Sequence, residues 1–423
     1  MGSVEVFAVI VVLCIAPSVF GDFNVVDYGA VGDGHTDDTE AFKRAWAAAC
    51  AAPGAISKLT VPRRTFLLNS HMFTGHCNAT YIFFRLIGNL IAPPQDKFRG
   101  TGSWITFYKV NGLKFTGTGQ MDGRGSTWWP QDCLSRPFET EFNCLQVPCF
   151  LYVPIIQPCG NALGRPTLLA FESCKFLTVR FVKLVNSARN HVTVNGCKWV
   201  DIHNIHIASP DYSPNTDGIN IGSSWNVQVN HSFIESGIIS TTGDDCISFL
   251  PGSSNINVTN ITCGPGHGIR ESMHKPNSCC SVGSMDKGEV EQVRVTNCVF
   301  KNTMFGARIK TKQGGTGQVK GIIFRDNWMQ RVHNPIIIDQ YYASAENKSS
   351  AVAISNVQFT GFHGMATGDL GIKLACSKTV PCTDIRLSDI HLVSATPHKQ
   401  LSSYCLGVQG PHCPDCTPSV PCL

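Results

Sequence analysis

From about residue 170 onward the chain repeats one short pattern, in which β-branched residues alternate with polar ones. Val200-Asp-Ile-His-Asn204, Val227-Gln-Val-Asn-His231, Ile256-Asn-Val-Thr-Asn260 and Val293-Arg-Val-Thr-Asn297 are four instances. A period of two is what a strand with one buried face requires. The starts are 27, 29 and 37 residues apart, the size of one solenoid coil. No amphipathic helix lies between the runs, which disfavours βαβ units. A β-sandwich would place hairpin turns at a shorter spacing, about every 8–12 residues. The longer repeat therefore predicts an all-β parallel β-helix. One helix is predicted at Thr36 to Ala51, with Asp37, Asp38 and Glu40 in its first turn, where acidic groups favour the helix dipole. Such a helix would cap the open end of the solenoid core. No linker or compositional break divides the chain, so residues 22–423 are expected to form a single domain.

Composition adds the compartment. Charged residues make up 15% of the 423 residues and the net charge is +4, too little to point to nucleic acid but compatible with an anionic substrate. Residues 1–21 read as a signal peptide: Phe7 to Ala16 is apolar and Gly21 stands near the expected cut, although Glu5 replaces the usual basic residues. That run is too short to span a bilayer, and no later stretch reaches the roughly 18 apolar residues a membrane helix needs. Twenty Cys favour an oxidising compartment; without Cys14 the number is odd, which leaves at least one thiol unpaired. Sequons at Asn78, Asn230, Asn257, Asn260 and Asn347 fit secretion, although Asn-rich turns also generate them by chance.

Four polar clusters carry candidate chemistry: Ser213-Pro-Asn-Thr-Asp-Gly218, Thr242-Gly-Asp-Asp-Cys246, Gly264-Pro-Gly-His-Gly268 and Arg308-Ile-Lys310. Each alone reads as an ordinary turn or the wet side of a strand. Together, on a solenoid whose strands stack about 4.8 Å apart, they would share one face. Arg308 and Lys310 would point one way and Ile309 into the core. Glycoside hydrolysis needs one protonated and one ionised carboxyl group, and crowded carboxylates supply that split. Asp244 and Asp245 can both serve only if the backbone bends, which Gly243 permits; Gly266 and Gly268 would let His267 approach a ligand closely.

These motifs, in this order, resemble glycoside hydrolase family 28, the polygalacturonases, and the plant branch in particular. Asp27-Tyr-Gly-Ala-Val-Gly-Asp-Gly34, Thr36-Asp-Asp-Thr39, Asn190-His191 and Cys263 extend the likeness over nearly the whole mature chain. The resemblance implies a single-stranded right-handed parallel β-helix and inverting hydrolysis of α-1,4-linked galacturonate in pectin by a secreted, cell-wall enzyme. It implies Asp244 as general acid, Asp217 and Asp245 as the bases that activate water, and His267 as the partner that keeps the acid protonated. Arg308 and Lys310 would hold the galacturonate carboxylate, and Tyr342, with Tyr341 as its rival, would bind substrate. No cofactor or metal is implied. The expected partner is pectic polysaccharide, met by a monomer.

Three segments depart from the family pattern: residues 138–160 and 270–280 are longer than the family needs, and the stretch 234–241 holds about six extra residues; they read either as loops that reshape the cleft or, for 138–160 and 270–280, as mis-predicted coding sequence. Removing the 11 residues from Arg270 to Cys280 would restore the 37-residue spacing to 26. The alternatives are a weakly active pectin-binding protein on the same scaffold, a hydrolase of another pectic backbone such as rhamnogalacturonan, and a β-helix lyase. The lyase would want a calcium site and an Arg or Lys base. Endo and exo attack are not distinguished.

Overall fold

The computed structural model describes residues 20–129, 164–210, 212–237, 244–271, 285–341, 348–410 and 413–422. Its strands pair in parallel with the coil before and the coil after, and the fold is a right-handed parallel β-helix; the repeat implied the parallel solenoid and the family resemblance its hand. The pairing is the one the sequence pattern dictates: Val200 pairs with Val227, Val227 with Ile256, and Ile256 with Val293. All four are buried in one continuous apolar core, while the intervening polar residues face outward.

Each of the four runs ends on a residue with left-handed backbone, at Asn204, His231, Asn260 and Asn297 (φ 54, 46, 55 and 54°). Asn reaches this region at low cost because its short polar side chain bonds locally. The corner therefore recurs once per coil, which fixes where each strand turns.

A second stack forms the opposite wall: Thr167–Glu172, Val192–Asn195, Ile219–Gly222, Ile247–Phe249, Ile269–Glu271, the start of Phe305–Val332, Asn334–Asp339, Leu370–Ala375 and Ser402–Leu406. The polar clusters line the start and the outer face of this wall.

Several boundaries differ from the sequence-based ones. The helix spans Thr39–Ala51, three residues shorter than expected. Asp37 belongs to the strand Asp33–Asp37 and Asp38 is the N-cap, so only Glu40 lies in the first turn. The Asp38 carboxylate is drawn away by the backbone N–H groups of Val31 and Gly32, at 2.6 and 3.0 Å. Arg270 and Glu271 cannot open an insertion, because their backbone pairs with Ser248 and Phe249 on one side and Arg308 and Ile309 on the other. Ile234 and Glu235, at the start of the stretch 234–241, close the strand Trp225–Glu235, and Ile234 is buried in the core. Residues 138–160 and 272–280 lie outside the described residues, as do 1–19 of the expected signal segment. Phe20 and Gly21 pair with Ile56 and Ser57.

Among the described residues, disulfides join Cys50–Cys77, Cys246–Cys263, Cys376–Cys382, Cys405–Cys422 and Cys413–Cys416. Cys174, Cys197 and Cys298 are free thiols, all buried. No helix among the described residues is long and apolar enough to cross a membrane.

Candidate active site

Asp217, Asp245 and His267 each stand two residues before a strand residue of the second wall, namely Ile219, Ile247 and Ile269. These three isoleucines pair in register on successive coils. The ladder extends through the functional residues themselves. Gly218 N–H donates to Asp245 O and Cys246 N–H to Gly268 O, both at 2.8 Å. Residues far apart in sequence thus stack at about the strand spacing, 4.8 Å.

Asp244 stands beside this column, and its carboxylate is closely held. Asn215 Nδ2 donates to Oδ2 at 2.9 Å, and the backbone N–H of Asp245 donates to Oδ1 at 2.9 Å. His267 Nδ1 lies 3.5 Å from Oδ1, and the His267 backbone N–H donates to Asp244 O at 2.8 Å. The three carboxylates are buried, with Asp217, Asp244 and Asp245 exposed by 7, 2 and 0%. Gly266 and Gly268 do let His267 sit close, but against protein rather than ligand. A Cβ at Gly268 (φ +87°) would lie 2.1 Å from Phe305 O, and one at Gly266 2.2 Å from Ser236 Oγ. The Cys246–Cys263 disulfide ties the strand that follows Asp245 to the chain leading to His267.

Arg308 and Lys310 flank Ile309, which is in the core, so the pair shares the outward face as expected. Both are nonetheless covered, at 6 and 2% exposure. The Arg308 guanidinium lies 3.9 Å over the ring of Phe305, whose other neighbour is the His267 ring at 6.0 Å. Phe305 thus touches both His267 and Arg308; nothing in its sequence context marks it. Tyr342 lies outside the described residues. Its rival Tyr341 is described, with its backbone N–H donating to Asp339 Oδ1 at 3.0 Å.

Two further residues belong to the site. Arg165 is buried and donates from Nη1 to Pro214 O at 2.8 Å, bracing the loop that carries Asn215 and Asp217. Burial lowers its pKa to about 10; Arg189 adds to the fall, while attraction to Asp244 opposes it. His191 lies one coil before Asp217 and donates from backbone N and ring Nδ1 to Asp217 O, at 2.8 and 3.1 Å. Its Nε2 faces Ser209 Oγ at 3.1 Å, and complete burial holds its pKa down near 4, so the ring is neutral. Asn190-His191 is readable as a family landmark, but the bracing roles of His191 and Arg165 come from cross-coil contacts that spacing alone does not give.

Asp244, Asp245 and His267 bring one donor atom each within 4.8 Å of one another, the only part of this site with the makings of a metal-ligand set among the described residues. The Asp244 oxygens already accept from Asn215 and from the Asp245 backbone, and a cation would have to compete with both.

The fold and the buried carboxylates beside an imidazole and a cation pair define a carbohydrate-hydrolase class of site. The family model "Glycosyl hydrolases family 28" matches residues 50–414, and the chain belongs to that family. It is 36% identical to a polygalacturonase of Persea americana, over 88% of this chain and 74% of that protein. It is 32% identical to an exopolygalacturonase of Platanus acerifolia, over 95 and 97% of the two chains. Among solved structures it resembles an exopolygalacturonase of Thermotoga maritima (TM-score 0.69, 22% identity, 92 and 91% of the chains covered). An endo-xylogalacturonan hydrolase of Aspergillus tubingensis is similar in fold (TM-score 0.68, 20% identity, 93 and 98% covered).

Proposed function

We propose that this glycoside hydrolase is a secreted polygalacturonase that cleaves α-1,4-galacturonosidic bonds of pectin with inversion. The observation that carries the reading is the stacking of Asp217, Asp245 and His267 beside Asp244, on the face that also presents Arg308 and Lys310.

In this reading Asp244 donates its proton to the leaving oxygen. Crowding of carboxyl groups favours one of them keeping its proton. His267, close to Asp244 Oδ1, supports that state. Asn215 can serve both states of Asp244, since its amide offers a donor and an acceptor. Asp217 and Asp245 activate the attacking water from the opposite face. Arg308 and Lys310 bind the substrate carboxylate; Arg offers a rigid fork and Lys a point charge. Tyr342 is assigned to substrate binding by resemblance alone. No cofactor is invoked. Secretion rests on the N-terminal apolar segment and the disulfides, which persist in oxidising compartments.

The test is incubation of the purified protein with polygalacturonic acid, with product sizes followed in time. Monomer alone would indicate attack from the chain end, and a ladder internal attack. Asp244→Asn should lower turnover by at least the roughly 10²–10⁴-fold typical of general acid–base catalysis, with the fold intact. Undiminished turnover in that variant would remove Asp244 from the mechanism.

A further inference from the structure

Strands Ala353–Ala366 and Thr383–Ser394 pair in register in the stack that does not carry the candidate active site. His363 pairs there with His391, Trp328 of the coil before with His363, and Thr417 of the coil after with His391. Phe362 and Ile390 are buried, so the histidines that follow them point outward. Two residues before His391 the chain turns a corner at Asp389, whose backbone is left-handed (φ 52°).

Three side chains from two coils converge at this corner. His363 Nε2 lies 3.3 Å from Asp389 Oδ2, and His391 Nε2 lies 3.4 Å from Asp389 Oδ1. The two imidazole centroids are 5.3 Å apart. One donor atom from each residue falls within 4.8 Å of the other two. The arrangement is braced from both sides. The His363 ring stacks on that of Trp328, with centroids 6.4 Å apart, and the Asp389 N–H donates to Asp415 Oδ2 at 2.9 Å. All three side chains reach solvent, so an ion has an open path to them.

The plain alternative is a pair of surface ion pairs around one carboxylate. A charge-assisted N–H···O bond is shorter than either separation, about 2.7–2.9 Å. Zinc with ligands at about 2.0–2.1 Å and tetrahedral angles sets its donors roughly 3.3–3.4 Å apart. The two N···O separations therefore match the edges of a coordination polyhedron. Each nitrogen faces a different oxygen, so the carboxylate can chelate while both imidazoles bind. The donor set also selects the class of ion. Imidazole suits zinc, copper and nickel, whereas calcium and magnesium take oxygen ligands.

We propose that His363, Asp389 and His391 bind one divalent transition-metal ion of the zinc type, and that the ion clips the last coils of the solenoid together. The ligands converge only when the two strands are paired, so the ion binds the folded coils and stabilises them. A coil of a solenoid is held chiefly by its neighbours. Beyond Thr383–Ser394 this stack continues only as the two-residue strand Cys416–Thr417, so the end has little other support. Such a clip does not depend on what the enzyme cleaves.

The experiment titrates Zn²⁺ by calorimetry into the full, untagged protein, and into His391→Ala and Asp389→Asn, with melting temperatures measured in parallel. The wild type should bind Zn²⁺, and its melting temperature should rise as Zn²⁺ is added. Each substitution should weaken binding by roughly tenfold or more and remove the rise. Ca²⁺ and Mg²⁺ should give neither signal. Asp244, Asp245 and His267 form another set of possible ligands, and an ion held there would survive both substitutions. Absence of Zn²⁺ binding in the wild type, or binding unaltered in the variants, overturns the proposal. Ca²⁺ binding of equal strength overturns the donor chemistry. Binding at these residues without a rise in melting temperature overturns the clip. If His391→Ala melts lower before any metal is added, Asp389→Asn decides, because Asn keeps the shape of the left-handed corner.

Discussion

His191 gives the site a pH dependence that belongs to the fold rather than to the reaction. Its ring is buried and neutral, with a pKa near 4 against an ordinary 6.5. A histidine unfolded at pH 5 binds a proton that the folded one refuses, so stability falls as pH drops from 6.5 toward 4. The full penalty is about 3 kcal/mol and is absent above pH 7. His191→Gln keeps an amide donor for Asp217 O and removes the titration. Its melting temperature should fall less steeply than that of the wild type between pH 7 and pH 4.5. Some slope should remain from His71, which burial also lowers to about 4. Identical slopes in the two proteins would mean that His191 does not carry the effect. At this scale the sequence was informative where a residue sits in a motif and silent where it acts across coils. Asp217, Asp244, Asp245 and His267 could be grouped because their separations approximate one coil. His363 and His391 lie in unremarkable strands, and only the register brings them together.

At the scale of elements, the strand starts of the second wall hold the site, and the Cys246–Cys263 disulfide holds two of those starts together. Its loop of 17 residues is short, so the chain-entropy contribution is about 3 kcal/mol. Its position matters more than its loop. Cys246 follows Asp245 directly, and Cys263 lies four residues before His267. A displacement of about 1 Å at a reacting group can lower the rate roughly 100-fold. Cys246→Ser/Cys263→Ser should therefore lower kcat on polygalacturonate at 20 °C by more than its loss of melting temperature implies. A variant that melts lower yet turns over normally at that temperature would show the bridge to be a staple only. The strand runs and their corners were legible in the sequence because period-two alternation and the Asn or His at each turn are local signals. Element boundaries were less so: Arg270 and Glu271 read as the start of an added segment, yet both are held in a strand by neighbours more than ten residues away. Parallel pairing is set by the adjacent coil, and a single coil viewed in sequence does not display it.

At the scale of the whole molecule, a solenoid exposes the apolar floor of its first coil, and the helix Thr39–Ala51 covers it. Phe42, Ala45, Trp46 and Ala49 are the buried side of that helix. The Trp46 ring lies 5.1 Å from Phe73 and 5.6 Å from Phe107, and its Nε1 donates to Thr74 O at 3.1 Å. From there an aromatic file runs up the core. Phe107 stacks on Phe171 at 5.7 Å, and Phe84 on Phe115 at 5.2 Å. Trp46 is thus the first member of a packed column whose later coils carry the candidate active site. Trp46→Ala should cost about 3–5 kcal/mol, the range for truncating a buried aromatic, because the cavity opens at an end that water can enter. Each coil of a solenoid contacts chiefly its neighbours, so damage at one end weakens with distance. Asp217 follows the helix by several coils, and its partners lie on the coils immediately around it. The variant should therefore melt well below the wild type yet keep a near-normal kcat on polygalacturonate at a temperature where both are folded. Hydrogen exchange should quicken first in strands Ile56–Val61 and Tyr81–Leu86, while the strand Ile219–Gly222 stays protected. Simultaneous loss of protection in all three strands would instead mark the solenoid as one cooperative unit, and the helix as a condition for folding the site itself.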